Sequence, residues 1–378
     1  MVVGAGEFQI PIIKKCREQG FAVIATDIDK NAIGLQYANI PLCIDTLDKE
    51  ATLEAAIKYK IDGILTTSDY PVRTVAYVCE NMGLFGLNKQ AAEIATDKYL
   101  MRKCLCQHGI DCPKFYKIRN INELTSLKNK VELPLVVKPV DSSASRGVVK
   151  IDHFNDLENA YKEALAYSKK GDVIIEDFIR GPEYSVESLT QNGKTYIIAI
   201  TEKTTSGYPY FVETRHIIPA NISDEHINKI HDVVKKCIQA IGLNNSASHT
   251  ELKLTPTGPM IIEIGARLGG DYITSDLLPL ATGVDMLDNI IRLSLGERIN
   301  CMQTHQMYSA IQFVTAENYD KIGKKIGKNN KNSEVIRYEI GEKRGFNKLK
   351  NSSDRLGYYI VQADSREKLI CALELDNE

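Results

Sequence analysis

Two glutamates and a serine-rich loop beside a lysine are the residues of this chain with the clearest chemical use. Within residues 246–267, two stretches of strand character, 248–254 and 260–266, flank Pro256-Thr257-Gly258, a turn sequence. Pairing them about Thr257 sets Glu251 opposite Glu263, Leu252 opposite Ile262 and Leu254 opposite Met260. Side chains so opposed stand about 4.5–5.5 Å apart at Cβ, and like charges there destabilise a sheet. A hard divalent cation relieves the repulsion, with Mg²⁺ commonly shared between protein carboxylates and substrate phosphates. Neutralisation by Lys253 and Arg267 as a surface network relieves it equally, and His249 on the same face admits a transition metal.

The second group lies upstream. Leu133-Pro-Leu-Val-Val-Lys-Pro139 reads as a buried strand ending on Lys138, followed by Asp141-Ser-Ser-Ala-Ser-Arg-Gly147. Small residues between strands let backbone N–H groups close over an anion. The hydroxyls of Ser142, Ser143 and Ser145 add donors, and Lys138 adds charge. An ordinary surface loop has the same composition. The Walker spacing GxxxxGK[ST] is absent. At the N-terminus, Gly4-Ala5-Gly6 followed by Asp27 resembles a dinucleotide fingerprint, but its third glycine position is Gln9, which leaves a tight turn in a scaffold domain.

These groups need elements to hold them. Residues 1–95 alternate strands with helices at 11–20, 49–60 and 71–83, and with apolar runs at 21–27, 61–65 and 84–87, the signature of a small doubly wound parallel-sheet domain. Asp97-Lys98 opens a helix that Gly109 and Pro113 end. Strands dominate from 113 to 190 around a helix at 156–169, a helix at 224–241 precedes the glutamate hairpin, and two β-like stretches, 308–314 and 355–362, close the chain. The Lys- and Asn-rich segment 321–331 between them reads as a solvated loop.

The 378 residues carry 47 Lys+Arg against 49 Asp+Glu, a net charge of −2, and allow two or three domains with ample core. That balance excludes a bulk nucleic-acid binder. No apolar run reaches the roughly 20 residues that span a bilayer, and no leader pattern opens the chain, so a cytoplasmic location is expected. Nine scattered cysteines without a CxxC pair fit neither a disulfide framework nor structural zinc.

In order, Asp97-Lys98, Val137-Lys138-Pro139, the 141–147 loop, Ile175-Glu-Asp-Phe178, Gly181-Pro-Glu183, Glu251 and Glu263-Ile-Gly-Ala-Arg267 resemble the ATP-grasp superfamily. The likeness is to its carboxylate–amine ligases, among L-amino-acid-ligase-like, biotin-carboxylase-like and carbamoyl-phosphate-synthetase-like members. The resemblance implies an α/β and α+β multidomain ATP-grasp fold. Its parts are an N-terminal Rossmann-like domain (1–95), a linker helix and small lid lobe (96–190), a large lobe with the metal site (191–300) and a C-terminal lobe for the substrate pocket or a dimer contact (301–378). It further implies that Lys98 and Lys138 meet ATP phosphates and that the loop through Ser142, Ser143, Ser145 and Gly147 covers them. Glu176, Asp177, Phe178 and Ile179 face adenine, Glu183 accepts from the ribose, and Glu251 and Glu263 carry Mg²⁺, with Mn²⁺ an alternative. Glu213 and His216 match a Glu-x-x-His pattern that orients the amine, and Arg267 stabilises the intermediate. Many members carry Asn two residues after the second metal-binding Glu; here that place is Gly265. The implied activity is ATP-dependent amide or peptide bond formation through an acylphosphate, from a small-molecule acid and an amine, one of them an amino acid. The alternatives are a bicarbonate-using carboxylase or carbamoyl-phosphate-like enzyme and a non-catalytic nucleotide-binding module. A homodimer is a family-level expectation.

Overall fold

The strands sort into three sheets. The computed structural model describes residues 1–127, 130–208, 210–328, 334–342 and 349–373. β1 (Val2–Val3), β2 (Ile24–Asp27) and β3 (Ile40–Cys43) form a parallel sheet in that order. β4 (Phe115–Ile118), β5 (Leu135–Pro139), β6 (Val149–Ile151) and β7 (Val173–Asp177) form an antiparallel sheet ordered β4-β7-β5-β6. β8 (Glu183–Gln191), β9 (Lys194–Thr205), β10 (Glu213–Ile218), β11 (Ser246–Thr255), β12 (Gly258–Gly265), β13 (Tyr308–Val314), β14 (Val335–Ile340) and β15 (Gly357–Ala363) make an eight-stranded antiparallel sheet ordered β12-β11-β8-β9-β10-β13-β15-β14. One continuous sheet thus runs across the divisions at 190 and 300 drawn from the sequence.

In the N-terminal sheet the backbone N–H of Ala5 donates to Asp27 Oδ2 at 2.9 Å, so the acidic residue of the incomplete fingerprint closes the glycine turn itself. Two expected strands are corrected: residues 61–65 contribute only a bridge between Leu65 and Val2, and residues 84–87 form no strand. Gly86 interrupts the second run and Phe85 within it is exposed, while Leu84 and Leu87 pack into two different apolar clusters rather than along one strand face.

The large sheet divides its two faces by the two-residue period of its strands. Val186, Ile200, Leu252, Ile261 and Ile264 point to one side, where Ile230, Val234, Cys237, Ile238 and Ile241 cover them from the helix Asp224–Ile241. Those helical positions recur at three- and four-residue spacing, Ser223 caps the helix start and left-handed Gly242 ends it. The helix Lys98–Gln107 adds Met101, Cys104 and Leu105 to the same core. Asp97 caps it by accepting from Leu100 N at 3.0 Å, and Lys98 and Arg102, four residues apart, share its other flank.

The glutamate hairpin keeps the opposition of Glu251 and Glu263 but not the rest of the expected register. Leu252 pairs with Ile261 and Leu254 with Pro259, because Pro256-Thr257 is a two-residue turn and the ladder starts at Thr255–Gly258. A bulge at Ile262 absorbs the offset, and Arg102 Nη2 donates to the Ile262 carbonyl. The Lys-rich segment is also corrected: it belongs to the helix Tyr319–Lys328, anchored by buried Ile322, while residues 329–331 lie outside the described residues.

Gly181, at φ +147° between β7 and β8, marks where the chain passes from the small sheet to the large one. A Cβ there would stand 2.3 Å from the Leu254 carbonyl oxygen, whereas one on Gly193, φ +76°, meets nothing within 4 Å. Gly193→Ala therefore meets only the left-handed backbone penalty of roughly 1–2 kcal/mol, and Gly181→Ala should lower the melting temperature clearly further; equal losses in a thermal melt would refute the close-approach argument.

Candidate active site

The uncovered face of the large sheet is lined with charge. On β8, Glu183, Ser185 and Glu187 stand directly across from Lys253, Glu251 and His249 of β11, and Glu251 stands across from Glu263 of β12. Lys203 of β9 pairs with Glu183. Burying so many carboxylates requires matched cations.

Three lysines supply them from three elements. Lys98 Nζ donates to Glu263 Oε1 at 2.8 Å and to the Ser142 carbonyl of the serine loop at 2.7 Å. Burial draws its ammonium down, but Glu263 and Asp69 outweigh that and raise it. On the small sheet, Lys138 Nζ lies 2.6 Å from Glu176 Oε2, and Glu176 Oε1 accepts from Arg102 Nε at 2.7 Å. Burial, only partly countered by Glu176, lowers the Lys138 pKa. Lys203 Nζ sits among Glu251 at 2.6 Å, Glu183 at 3.3 Å and Glu213 at 3.3 Å. Against the cost of burial those glutamates hold its pKa well above ordinary. Oxygens of Glu183, Glu213 and Glu251 all lie within 4.8 Å of one another, a spacing that suits one cation.

The serine loop is shaped rather than slack. Ala144 and Ser145 adopt φ of +57° and +56°, and Asp141 fastens its base by accepting from Ser168 Oγ at 3.0 Å and Lys170 N at 2.9 Å. Ser142 is buried, Gly147 buried, and Ser143 and Ser145 half-buried. Beyond Glu176, the N–H groups of Asp177 and Phe178 donate to Lys114 O at 3.0 Å and Pro134 O at 3.1 Å, while Phe178 packs near Phe211 with ring centroids 5.8 Å apart. Ile179 is half-buried beside them.

Arg267 turns to the N-terminal domain. Its Nε and Nη2 hold Asp69 at 2.8 and 2.9 Å, a two-point pair that raises the guanidinium pKa and, against burial, lowers that of Asp69. A Cβ on residue 265 would come within 3.2 Å of Asp69 Oδ1, so Gly265 leaves the room that Asp69 fills. The neighbouring Tyr70 hydroxyl accepts from Arg146 of the serine loop at 2.8 Å.

Residues 131–276 match the ATP-grasp domain family model. That stretch carries an ATP-grasp domain. Alanine–anticapsin ligase of Bacillus subtilis strain 168 is 30% identical over 245 residues, 58% of this chain and 51% of that protein. The chain spans about half the length of the first curated relatives it matches. Among solved structures, L-amino acid ligase from Bacillus licheniformis superposes with a TM-score of 0.82 at 23% identity, covering 100% of this chain and 96% of that one. Phosphoribosylglycinamide synthetase from Anaerococcus prevotii gives 0.75 at 22%, covering 98% and 95%. Both likenesses are of fold.

Across the ATP-grasp cleft, Glu213 and His216 do not touch each other; Arg355 joins them. Its Nη2 lies 3.3 Å from Glu213 Oε2, its Nη1 donates to Asp271 Oδ2 at 2.9 Å, and His216 Nε2 reaches the same oxygen at 3.5 Å. Despite burial, His216 and Arg355 hold the Asp271 carboxyl well below the usual range. Lys253 and Arg267 do not neutralise the opposed glutamates; Lys203 and Lys98 do, because Lys253 turns to Glu183 at 3.9 Å and Arg267 to Asp69. Carboxylates stand at both ring nitrogens of His249, where the sequence admitted a transition metal. Glu187 Oε1 lies 2.5 Å from its Nδ1 and Glu251 Oε1 3.4 Å from its Nε2, and against burial they lift its pKa to about 9. Arg102, Lys203, Glu187 and Arg355 were missing from the sequence-based site. Lys98 and Arg102 at i and i+4, and Glu183 and Glu187 on alternate strand positions, carried a local signal; Asp69, 198 residues from Arg267, carried none.

His249 sets a pH dependence. Its pKa rises from an ordinary 6.5 to about 9 on folding, so its contribution is full below pH 6.5 and is lost as pH climbs through 9. In EDTA-treated protein the stability advantage of wild type over His249→Gln should shrink by on the order of 3 kcal/mol between pH 6 and pH 9.5. An advantage that grows with pH in denaturant titrations would contradict the charged assignment.

Proposed function

We propose that this chain is an ATP-dependent ligase that phosphorylates a small carboxylic acid and joins the acyl group to an amine, with an amino acid as one substrate. The observation that carries the reading is the set of exchangeable ion pairs: Lys98 with Glu263, Lys138 with Glu176, and Lys203 with Glu183, Glu213 and Glu251. A bound triphosphate accompanied by a divalent cation can re-partner both signs at once, Lys98 and Lys138 going to phosphate oxygens and Glu251 and Glu263 to the metal, while Glu176 keeps Arg102 as its partner. The alanine–anticapsin ligase likeness supports an amino-acid substrate.

In this reading Lys98, Lys138 and the 142–147 loop bind the phosphates. Phe178 and Ile179 line the base, and Glu183 takes the ribose hydroxyls. Glu176, held by Arg102, positions Lys138 rather than meeting the base. Glu251 and Glu263 would hold Mg²⁺, which supplies charge neutralisation for phosphoryl transfer when bound; the two stand directly across from each other between β11 and β12. The acid's oxygen attacks the γ-phosphorus and ADP departs. Arg267, oriented by Asp69, faces the charge on the acylphosphate, and the Glu213–Arg355–Asp271–His216 chain orients the incoming amine. Its nitrogen attacks the acyl carbon, the bond from that carbon to the phosphate oxygen breaks, and phosphate leaves with the proton lost from the amine.

A phosphate-release screen over amino acids and small carboxylates, alone and in pairs and with bicarbonate, read by mass spectrometry of the product, tests this. The expected result is release that needs an acid and an amine together, with an amide product. Release with bicarbonate alone, or tight nucleotide binding without turnover across the panel, would overturn it. Glu263→Gln should abolish substrate-dependent ADP formation. Asp69→Asn should lower kcat about tenfold or more while leaving KM for ATP within roughly twofold, since it acts through Arg267 on the transition state; a change confined to KM would remove Asp69 from that role.

A further inference from the structure

Outside the cleft, Cys106 and Cys112 face one another with their Sγ atoms 3.5 Å apart. Cys106 lies exposed in the last turn of the helix Lys98–Gln107, and half-buried Cys112 lies shortly before β4. Both elements belong to the machinery of the site. The helix carries Arg102, packs on the helix Asp224–Ile241 and so rides with the large sheet. Cys112 leads through Pro113 and Lys114 to Phe115, which pairs with Glu176 on the small sheet, and Lys114 O accepts from Asp177 N. A covalent link between the sulfurs would fasten the support of one sheet to the first strand of the other, next to the Arg102–Glu176–Lys138 chain.

We propose that Cys106 and Cys112 are a redox-modification site at which hydrogen peroxide closes an intramolecular disulfide that restrains lobe separation and slows nucleotide release. The second half rests on the nucleotide reading above; the first does not. The Cys106 thiolate attacks a peroxide oxygen, the O–O bond breaks, and the departing hydroxide takes a proton to leave as water, giving a sulfenic acid. The Cys112 sulfur then attacks the Cys106 sulfur, the S–O bond breaks, and the hydroxyl leaves as water with the Cys112 proton. Two thiols and one peroxide become one disulfide and two waters; the sulfurs lose the two electrons that the peroxide gains. A dithiol reductant reverses the step. The sulfurs need to approach by roughly 1.5 Å to reach bonding distance. Burial pushes the Cys112 thiol up to about 12, with Arg102 opposing, which leaves exposed Cys106 as the attacking sulfur. The buried Cys104 thiol is turned away, donating to Ala240 O at 3.3 Å.

The test uses the full chain, reduced and then treated with hydrogen peroxide. Expected is a mass loss of two hydrogens, and, after trypsin with Asp-N cleavage under non-reducing conditions, fragments 104–110 and 111–114 held together; Cys106→Ser and Cys112→Ser should each abolish the link. Dissociation of a fluorescent ADP analogue should slow by roughly threefold or more in the oxidised wild type, recover with dithiothreitol, and be unmoved by peroxide in Cys112→Ser. Sulfinic acid or intermolecular products in place of the link, or a link that survives Cys106→Ser, overturns the modification site. A formed link with unchanged dissociation overturns the restraint. Failure of the reduced protein to bind the analogue counts against the nucleotide reading instead, and the peptide map still decides the thiol pair.

Discussion

Two carboxylates forced to face each other across a hairpin are the constraint on which the rest of the site depends. Glu251 and Glu263 repel in the register that their strands impose, and the fold answers with cations brought from elsewhere: Lys203 from the adjoining part of the same sheet and Lys98 from the first turn of a capped helix. Each cation brings its own neighbours. Lys98 also grips the serine loop, and Lys203 gathers Glu183 and Glu213, so relieving one electrostatic conflict draws the loop, the helix and five strands to a single place. In the proposed reading, a site held by exchangeable pairs suits a polyanion that arrives with a cation, since a pair that opens offers a partner to each.

The same logic ties the lobes together. Glu176 on the small sheet is shared by Lys138 of that sheet and by Arg102 of a helix packed beneath the large one. Asp69 and Tyr70, adjacent in the N-terminal domain, hold Arg267 and Arg146 respectively. The N-terminal domain therefore contributes directly to the cleft as well as framing it, and the missing side chain at Gly265 is the space through which it does so.

Much of this was legible in the sequence for reasons that are local. The helix over 224–241 announces itself by a serine cap, a three-and-four apolar rhythm and a terminal glycine. The opposition of Glu251 and Glu263 follows from a turn and a period of two, although the turn and bulge that produce it differ from the simplest pairing. What failed locally failed for a physical reason: residues 84–87 are apolar enough for a strand but send Leu84 and Leu87 into two different clusters, and the Lys-rich segment 321–331 reads as a charged loop although Ile322 within it is buried on the helix Tyr319–Lys328.

The sequence by itself determined the fold class, the order of the motifs and the identity of the chemically able side chains, because periodicity, caps and turns act over a few residues. Only the tertiary structure decided which charge meets which. Ion pairs such as Arg267 with Asp69, Arg355 with Glu213 and Asp271, and Arg102 with Glu176 join residues 198, 142, 84 and 74 positions apart. Partners at such separations leave no mark on local pattern; they are chosen by how the sheets and helices pack, since a buried charge settles on whichever opposite charge the packing brings within reach.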